Sequence, residues 1–411
     1  MRAALFVTAS IVLVTGPMPA HADTICDWMA YAEKVAADVP STNGAAATPD
    51  HAHLSTEVAL AMFEATNAID RRYESYLGMA QGDAKASQDA AAITAAYQVL
   101  LRHFPAQKPR LADSYSIAMN AVSDPVAREA GRLIGEAAAK LTITVGQIDP
   151  AIPQVQYRPR TTAGVYVGTA LPVIQPFSVA FKPWVIASVE AMRPPPPPAL
   201  TSERWARDYN EVKTLGGKAS AARTEQQSLM ARYRITPDMM PSLQLVADAP
   251  GRTLVQNARM FALVGMASDD AYMTTSAAKM FYNFWRPITA IRNAQDDGNA
   301  KTDVDPAWAP LINTPNHPEY PCGHCTYAAS IAEVMKSETG AAPVGGVRVS
   351  SRSIPNSAVQ VLPTWDDWIR EVSFSRTLGG VHYRFSNEAG EAVGRAVAKM
   401  TLAKVMRPLA R

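Results

Sequence analysis

The sequence has few cysteines, no strong charge of one sign and, beyond its first residues, no long apolar run. Its 411 residues include only Cys26, Cys322 and Cys325, too few for a disulfide framework, which a chain of this length does not need. The formal net charge of +2 gives no electrostatic reason to expect nucleic acid or an anionic membrane as partner. No segment after residue 22 reaches the roughly 18 apolar residues of a spanning helix. We therefore expect no transmembrane segment in the mature protein.

The first 22 residues are predicted to be a signal peptide. Arg2 supplies a positive start, residues 3–14 form an apolar stretch, and residues 20–22 read Ala-His-Ala, a small-residue cleavage pattern. The alternative, an uncleaved membrane anchor, is disfavoured because the apolar stretch is too short to span a bilayer. We expect cleavage after Ala22 and an exported protein, either periplasmic or extracellular.

Most of the remaining chain has the periodicity of α-helices. In the first such segment, residues 54–73, Val58, Met62, Ala65 and Ile69 recur at three- and four-residue steps. Further helices are predicted over residues 84–104, 108–122, 126–141, 202–215, 224–233, 253–270, 271–285, 326–339, 365–378 and 387–406. No strand alternation is strong enough to predict a sheet. The predicted fold is all-α and built from helical bundles.

Prolines interrupt the helical pattern between about residues 142 and 200. This part ends in five consecutive prolines, residues 194–198, which form an extended, stiff segment. The favoured interpretation is a surface crossover between two helical halves, and the alternative is a proline-rich ligand for a partner domain. The sequence thus predicts an N-terminal half, residues 23–200, that includes the crossover. A C-terminal half, residues 201–411, would carry the functional site.

Residues 317–326, His-Pro-Glu-Tyr-Pro-Cys-Gly-His-Cys-Thr, combine a turn with the start of a helix. Two prolines and a glycine predict a tight turn, and an alanine-rich helical pattern follows from Tyr327. Free N–H groups and the positive end of the helix dipole make such a place suitable for binding a tetrahedral oxyanion. His324 lies where it could exchange a proton with the bound anion.

Two further segments supply cations and a second histidine. Lys279 and Arg286 are seven residues apart on one helical face, roughly 10 Å along the axis. Two cations facing an apolar interior are costly unless they share an anion; the alternative is a pair of surface cations. In the third segment, Gly379-Gly380 is expected to break a helix between Arg376 and His382 and to turn both side chains toward one point. A lone histidine there would otherwise be an ordinary core residue.

Taken together, the three segments resemble the signature of the superfamily of vanadium-dependent haloperoxidases and type 2 phosphatidic acid phosphatases. They read Lys-(six residues)-Arg-Pro from Lys279, Pro-Cys-Gly-His from Pro321, and Ser-Arg-(three residues)-Gly-Val-His from Ser375. Residues 63–70 and 284–291 are more similar to the soluble haloperoxidase branch than to the membrane lipid phosphatases. The resemblance implies an all-helical fold of four-helix bundles.

The resemblance also implies a role for each matching residue. The groups that would bind the oxygens of vanadate or phosphate are Lys279, Arg286, Arg376, Cys322 and the Gly323 N–H. His382 would be the vanadium ligand of a haloperoxidase, or the nucleophile that forms a phosphohistidine in a phosphatase. His324 would be the acid–base partner in either reaction. Asp269 or Asp270, on the helix before Lys279, is a candidate to orient one of the cations.

Two positions depart from the superfamily pattern. Cys322 replaces a serine, and Ser386 stands where an aspartate often orients the second histidine. A free Cys322 thiol at a helix N-terminus would have a lowered pKa and would be oxidised by peroxide, whereas a disulfide with Cys325 would protect it. Both states remain open. Cys-Gly-His-Cys is also the spacing of disulfide oxidoreductases, but those enzymes place it after a strand, and none is predicted here.

The sequence supports several functions in a definite order. The first is a haloperoxidase that carries vanadate and uses hydrogen peroxide and a halide. The second is a secreted acid phosphatase that needs no cofactor and hydrolyses a phosphate monoester with the same residues. The third is a non-catalytic oxyanion binder, and a thiol oxidoreductase comes last.

Overall fold

The computed structural model describes residues 23–38, 51–146, 158–169, 173, 181–354 and 356–410. The predicted signal peptide lies outside these residues. The described residues form thirteen α-helices and three short strands, so the all-α prediction is confirmed. None of the described helices is both long and apolar enough to cross a lipid bilayer.

Helices α1 to α7 are Thr24–Ala37, His51–Ile69, Gln88–His103, Lys108–Asn120, Pro125–Val145, Glu203–Gly216 and Glu225–Tyr233. Helices α8 to α13 are Met240–Ala247, Leu254–Tyr282, Pro287–Arg292, Gly323–Thr339, Trp365–Leu378 and Arg384–Lys404. Polar side chains cap several of the starts, as Ser202 does by accepting a hydrogen bond from the Trp205 N–H. Of these helices, α1, α8 and the short α10 were not predicted.

Helix α9 differs from its predicted form. The sequence suggested two helices that meet near residue 270, but α9 runs without a break from Leu254 to Tyr282. It ends at Asn283, which adopts a left-handed conformation with φ 45°. Pro287 therefore does not end this helix; it begins α10, where its missing N–H costs no hydrogen bond.

Helix α9 is shared by two groups of packed helices. On one side it contacts α2, which packs with α3 and α5; on the other it contacts α11 and α13, with α12 beside them. Gly390 allows α13 to approach α11 closely, since a Cβ there would lie 2.4 Å from the Cys322 carbonyl oxygen. The largest hydrophobic core contains residues of both predicted halves. The division near residue 200 stays a prediction.

A small antiparallel sheet, which the sequence did not predict, lies beside α8 and α12. Its strands are β1 (Pro237–Asp238), β2 (Val347–Ser351) and β3 (Gln360–Leu362), in the order β1-β2-β3. Strands of two to five residues are too short to show a clear alternation. The sheet holds the end of α7, because the Tyr233 hydroxyl donates to the Val349 carbonyl oxygen at 2.9 Å.

The run of prolines packs against elements that carry the predicted site. The Tyr282 hydroxyl donates to the Pro194 carbonyl oxygen, and the Tyr320 hydroxyl to that of Pro195, both at 2.6 Å. Tyr282 ends α9, and Tyr320 lies in the loop before α11. The run of prolines is thus fixed to the end of α9 and to the loop before α11, and its interpretation as a crossover stays a prediction.

Candidate oxyanion site

Three cations from separate parts of the chain are buried together. Lys279 lies in the last turn of α9, Arg286 precedes α10, and Arg376 lies in the last turn of α12. Their exposed fractions of 3%, 0% and 2% rule out a pair of surface cations. Burial lowers the pKa of Lys279 well below its usual range, that of Arg286 to about 10 and that of Arg376 to about 9. The positive charge of Arg286 lowers the pKa of Lys279 and of Arg376 further, so an anion among the three cations would be stabilised.

Two of these cations also organise the surrounding loops. The Arg286 Nε donates to the His317 carbonyl oxygen at 3.0 Å, and its Nη1 to that of Val381 at 2.8 Å. The Lys279 ammonium donates to the two successive carbonyl oxygens of residues 318–319, at 3.1 and 2.6 Å. These bonds bring the loop before α11 and the connection between α12 and α13 to one point.

Arg376 keeps most of its hydrogen-bonding capacity. Its Nη1 lies 3.5 Å from the Arg234 carbonyl oxygen, and its buried Nε has no partner among the described residues. A buried guanidinium with unused donors is suited to bind an oxyanion, because the anion would satisfy both charge and hydrogen bonds. This orphaned nitrogen is the direct sign that the site fits vanadate or phosphate.

The N-terminus of α11 completes the cationic environment. The helix begins at Gly323, three residues before its predicted start, with Cys322 as N-cap. A Cβ on Gly323 would lie 4.0 Å from the Lys279 Cε, so the glycine backbone adjoins the lysine side chain. The first N–H groups of a helix have no partner within it. They and the helix dipole add further attraction for an anion.

Cys322 and Cys325 are joined in a disulfide, one of the two states that the sequence left open. The bonded sulfur of Cys322 has no proton, and it accepts a hydrogen bond from the Cys325 N–H at 3.1 Å. The prediction that the Cys322 side chain donates to the anion is therefore wrong for this state. Both cysteines are fully buried, which also disfavours thiol exchange with a partner protein.

His382 is held by a carboxylate on one side and a guanidinium on the other. Its Nδ1 lies 2.6 Å from the Glu319 Oε1, and its Nε2 lies 3.2 Å from the Arg286 Nη1. Burial and the neighbouring Arg286 lower the pKa of His382 well below its usual range, so the ring is neutral. Because arginine can only donate, Nδ1 carries the proton and Nε2 presents a lone pair. That lone pair is what a metal ligand or a nucleophile requires.

Glu319 is a site residue to which the sequence analysis assigned no role. It is fully buried, and burial raises the pKa of its carboxyl group to about 7. Its Oε2 has no partner within the described part of the chain. The available signal was that Glu319 is the only acidic residue in the stretch 317–326.

His324 is neutral, and its tautomer is set by a backbone group. The Nε2 lies 2.9 Å from the Ile235 carbonyl oxygen just after α7, so Nε2 donates, and Nδ1 is an acceptor that no described residue occupies. Burial and the charge of Arg376 lower the pKa of His324 to about 3. The Nδ1 of His317, which was also missed, lies 3.1 Å from both the Arg286 Nη2 and the Pro318 carbonyl oxygen.

The aspartates before Lys279 serve another part of the molecule, so their predicted role as orienting groups is wrong. Asp269 contacts the His53 Nδ1 and the Trp184 Nε1, both at 2.7 Å. Asp270 accepts hydrogen bonds from three successive backbone N–H groups of residues 184–186. Both fix residues 184–186 to α9 instead of binding a site cation.

Comparison with known proteins agrees with this fold. Residues 259–411 match the family model of the VCPO second helical-bundle domain. Over 89 residues the chain is 36% identical to the vanadium chloroperoxidase of Curvularia inaequalis, a match that covers 19% of this chain and 14% of that protein.

Two solved structures share the fold over nearly the whole chain. One is described as the first bacterial vanadium-dependent iodoperoxidase, with a TM-score of 0.77, 18% identity, and coverage of 96% of this chain and 100% of that one. The other is an apo bacterial vanadium-dependent chloroperoxidase, with a TM-score of 0.65, 16% identity, and coverage of 90% and 96%.

The chain therefore has the helical fold of the vanadium haloperoxidases, with a candidate oxyanion site between its helices. The resemblance inferred from the three motifs is confirmed: the segment that matches the second helical-bundle domain contains all three.

Proposed function

We propose that this protein is a haloperoxidase that binds vanadate and oxidises a halide with hydrogen peroxide. One observation carries the proposal. Three buried cations and the N-terminus of α11 surround a neutral His382 whose Nε2 presents a lone pair. This set of groups fits an anion that needs one imidazole ligand and several oxygen-binding donors.

Different residues of the chain would bind the anion and handle its protons. When bound, vanadate would supply Lewis-acid activation of hydrogen peroxide. His382 would hold it through Nε2, while Lys279, Arg376 and the first N–H groups of α11 would neutralise its oxygens. His324 presents an acceptor at Nδ1, so it can accept a hydrogen bond from an acidic group held at the helix N-terminus and orient its proton.

The disulfide supports the use of peroxide at this site. A free thiol beside hydrogen peroxide would be oxidised stepwise to acids that resist reduction. The Cys322–Cys325 bond leaves no thiol at the N-terminus of α11. The proposed oxidant is thus compatible with the cysteine that replaces the serine of the superfamily.

The second candidate is a phosphatase that uses His382 as its nucleophile. The contact between Glu319 and Nδ1 favours it, because such a carboxylate makes the opposite nitrogen a better nucleophile. The low pKa of His324, about 3, weighs against it. The alcohol leaving group needs a protonated acid near neutral pH.

The test is peroxide-dependent bromination of a dye by the metal-free mature protein, with and without orthovanadate. We expect activity that appears only with orthovanadate and is lost in His382→Ala. The matched control is Arg370→Ala, which removes an exposed cation of α12 and should leave activity unchanged. Hydrolysis of p-nitrophenyl phosphate that orthovanadate inhibits would identify the phosphatase instead. Tight orthovanadate binding without either activity would identify a non-catalytic binder.

Export remains part of the proposal. It is supported by the charged start, apolar stretch and small-residue pattern of residues 1–22. The intact mass of the protein recovered from the periplasm or the medium should correspond to a chain that begins at Asp23. Retention of residues 1–22 in that protein would contradict it.

A further inference from the structure

We propose that Glu319 is the positioning residue of His382, and that it replaces the carboxylate missing at position 386. The loop before α11 would thus supply the carboxylate that the superfamily often places four residues after the histidine. The contact between Glu319 and His382 does not depend on the proposed function, whereas its effect on catalysis rests on that function.

The contact is short and fully enclosed. The Glu319 Oε1 lies 2.6 Å from the His382 Nδ1, and the same oxygen accepts the Tyr383 N–H at 3.2 Å. Glu319 and Ser386 are fully buried, and His382 is 2% exposed. The Ser386 Oγ lies farther from Nδ1, at 3.4 Å. Glu319 therefore makes the shortest contact to the inner nitrogen of the imidazole.

This contact fixes both the tautomer and the direction of the ring. The Arg286 Nη1 can only donate to Nε2, and the Glu319 Oε1 lies where it accepts from Nδ1, so both contacts select the tautomer protonated at Nδ1. The Arg286 Nη1, 3.2 Å from Nε2, marks the direction in which the lone pair points. Glu319 also reaches Lys279, which donates to its backbone carbonyl oxygen at 2.6 Å. Glu319 thus fixes the positions of His382 and Lys279 relative to each other.

The serine at position 386 is the natural companion of a glutamate at position 319. Two carboxylates beside one buried imidazole would repel each other, and one would be forced to take up a proton. The Ser386 hydroxyl, 3.4 Å from the His382 Nδ1, brings no second charge to the imidazole. The carboxylate that orients the His382 ring is therefore that of Glu319 in the loop before α11, and α13 supplies none.

A set of variants separates positioning from simple structural support. Glu319→Gln keeps the size of the side chain but loses the charge, and Glu319→Gln/Ser386→Asp returns a carboxylate to the other position. We expect Glu319→Gln to weaken orthovanadate binding, measured by calorimetry, by about 10- to 100-fold. The double variant should recover affinity to within a few-fold of the wild-type protein. Glu388→Gln, an exposed carboxylate of α13 paired with Arg204, is the matched control and should bind like the wild type.

A second readout is independent of vanadium. In the metal-free protein labelled with 15N at histidine, NMR should show His382 protonated at Nδ1 and unprotonated at Nε2. The Glu319→Gln variant should show a mixture of tautomers or a reversed tautomer, and the double variant should restore the first.

Three results would overturn the inference. The first is a wild-type His382 protonated at Nε2. The second is a Glu319→Gln variant whose His382 tautomer and orthovanadate affinity are unchanged. The third is a loss of affinity in Glu319→Gln that the double variant does not recover, although the double variant melts cooperatively. If Glu319→Gln failed to fold, the His382 tautomer of the wild type and the orthovanadate affinity of the double variant would decide whether Glu319 positions His382. A wild-type protein that bound no orthovanadate would contradict the proposed function instead, and the NMR result would still decide the role of Glu319.

Discussion

At the scale of single residues, charge balance explains why the site would attract an oxyanion. Lys279 and Arg286 are buried beside one acidic side chain, Glu319, and the buried Arg376 adds a third positive charge next to Arg286. Arg286 makes several hydrogen bonds to the loops, whereas the Nε of Arg376 has no partner among the described residues. Arg376 should therefore contribute to anion binding more than to the fold.

The first prediction concerns that cation. Arg376→Ala should weaken orthovanadate or phosphate binding by about 10- to 100-fold, because charge-assisted hydrogen bonds contribute about 1.5–3 kcal/mol. Isothermal titration calorimetry at constant ionic strength measures the change. Arg370→Ala, six residues earlier on α12, controls for the loss of a positive charge. Affinity retained within threefold in Arg376→Ala would show that Arg376 does not bind the anion.

At this scale the sequence predicted the cations of the site but not the groups that contact them. Spacing indicated Lys279, Arg286 and Arg376, since cations on predicted helices beside turns are visible in one dimension. The contact between Glu319 and His382 joins residues 63 positions apart. No local pattern encodes such a distance.

At the scale of elements, α9 connects the helices around the site to the first helices of the chain. His53 of α2 contacts Asp269 of α9 at 2.7 Å, and its ring stacks on Phe181 and Trp184 with centroids 3.8 and 4.9 Å away. Burial alone would lower the pKa of His53, but the bond to Asp269 and its charge outweigh burial and raise it. Glu57 acts in the same direction.

The second prediction uses this raised pKa. Since the folded protein holds the proton of His53 more tightly than the unfolded chain, the stabilising effect is complete below about pH 6.5, the ordinary value. It is lost as the pH rises through the raised pKa. His53→Ala, which leaves Asp269 buried without its cation, should lower the free energy of unfolding by about 3 kcal/mol at pH 6. Urea denaturation should show a smaller difference from wild type at pH 8; an equal difference at both values would refute the linkage.

The third prediction concerns the packing of α13 on α11. A Cβ at position 390 would lie 2.4 Å from the Cys322 carbonyl oxygen, so Gly390→Ala must push the helices apart where α11 begins. We expect a loss of about 1–3 kcal/mol in stability, measured by urea denaturation, together with weaker phosphate binding. Ala396→Val, at an exposed position of α13, adds methyl groups without a clash. Its stability should stay near that of the wild type, and equal losses in both variants would argue against close packing as the cause.

At the scale of the whole molecule, the buried cations link anion binding to stability. Three parts of the chain, the end of α9, the start of α11 and the end of α12, meet only in the folded state. An oxyanion that needs all three therefore binds the native state and not the unfolded chain. Such a ligand stabilises the fold by mass action.

The fourth prediction follows from this linkage. At a concentration 100 times its dissociation constant, orthovanadate or phosphate should add about 2.7 kcal/mol to the free energy of unfolding. Thermal melting at fixed ionic strength should show a higher Tm with the tetrahedral anion. The gain should fall to about 0.4–1.4 kcal/mol in Arg376→Ala, whose affinity is expected to be 10- to 100-fold weaker, and persist in full in Arg370→Ala. An equal increase in both variants would mean that the anion acts outside this site.

The sequence by itself determined the helical class, most helix positions and the three motifs, because helical periodicity and turn residues are local properties. It missed α1, α8, α10 and the sheet, and it divided α9 at Asp269 and Asp270, since short elements and two adjacent aspartates within a long helix leave no clear periodic signal. Only the tertiary structure decided which carboxylate faces His382, that Asp269 and Asp270 serve another region, and that the two cysteines are bonded. These outcomes depend on distances between parts of the chain that are far apart in sequence, and such distances are fixed only when the helices pack.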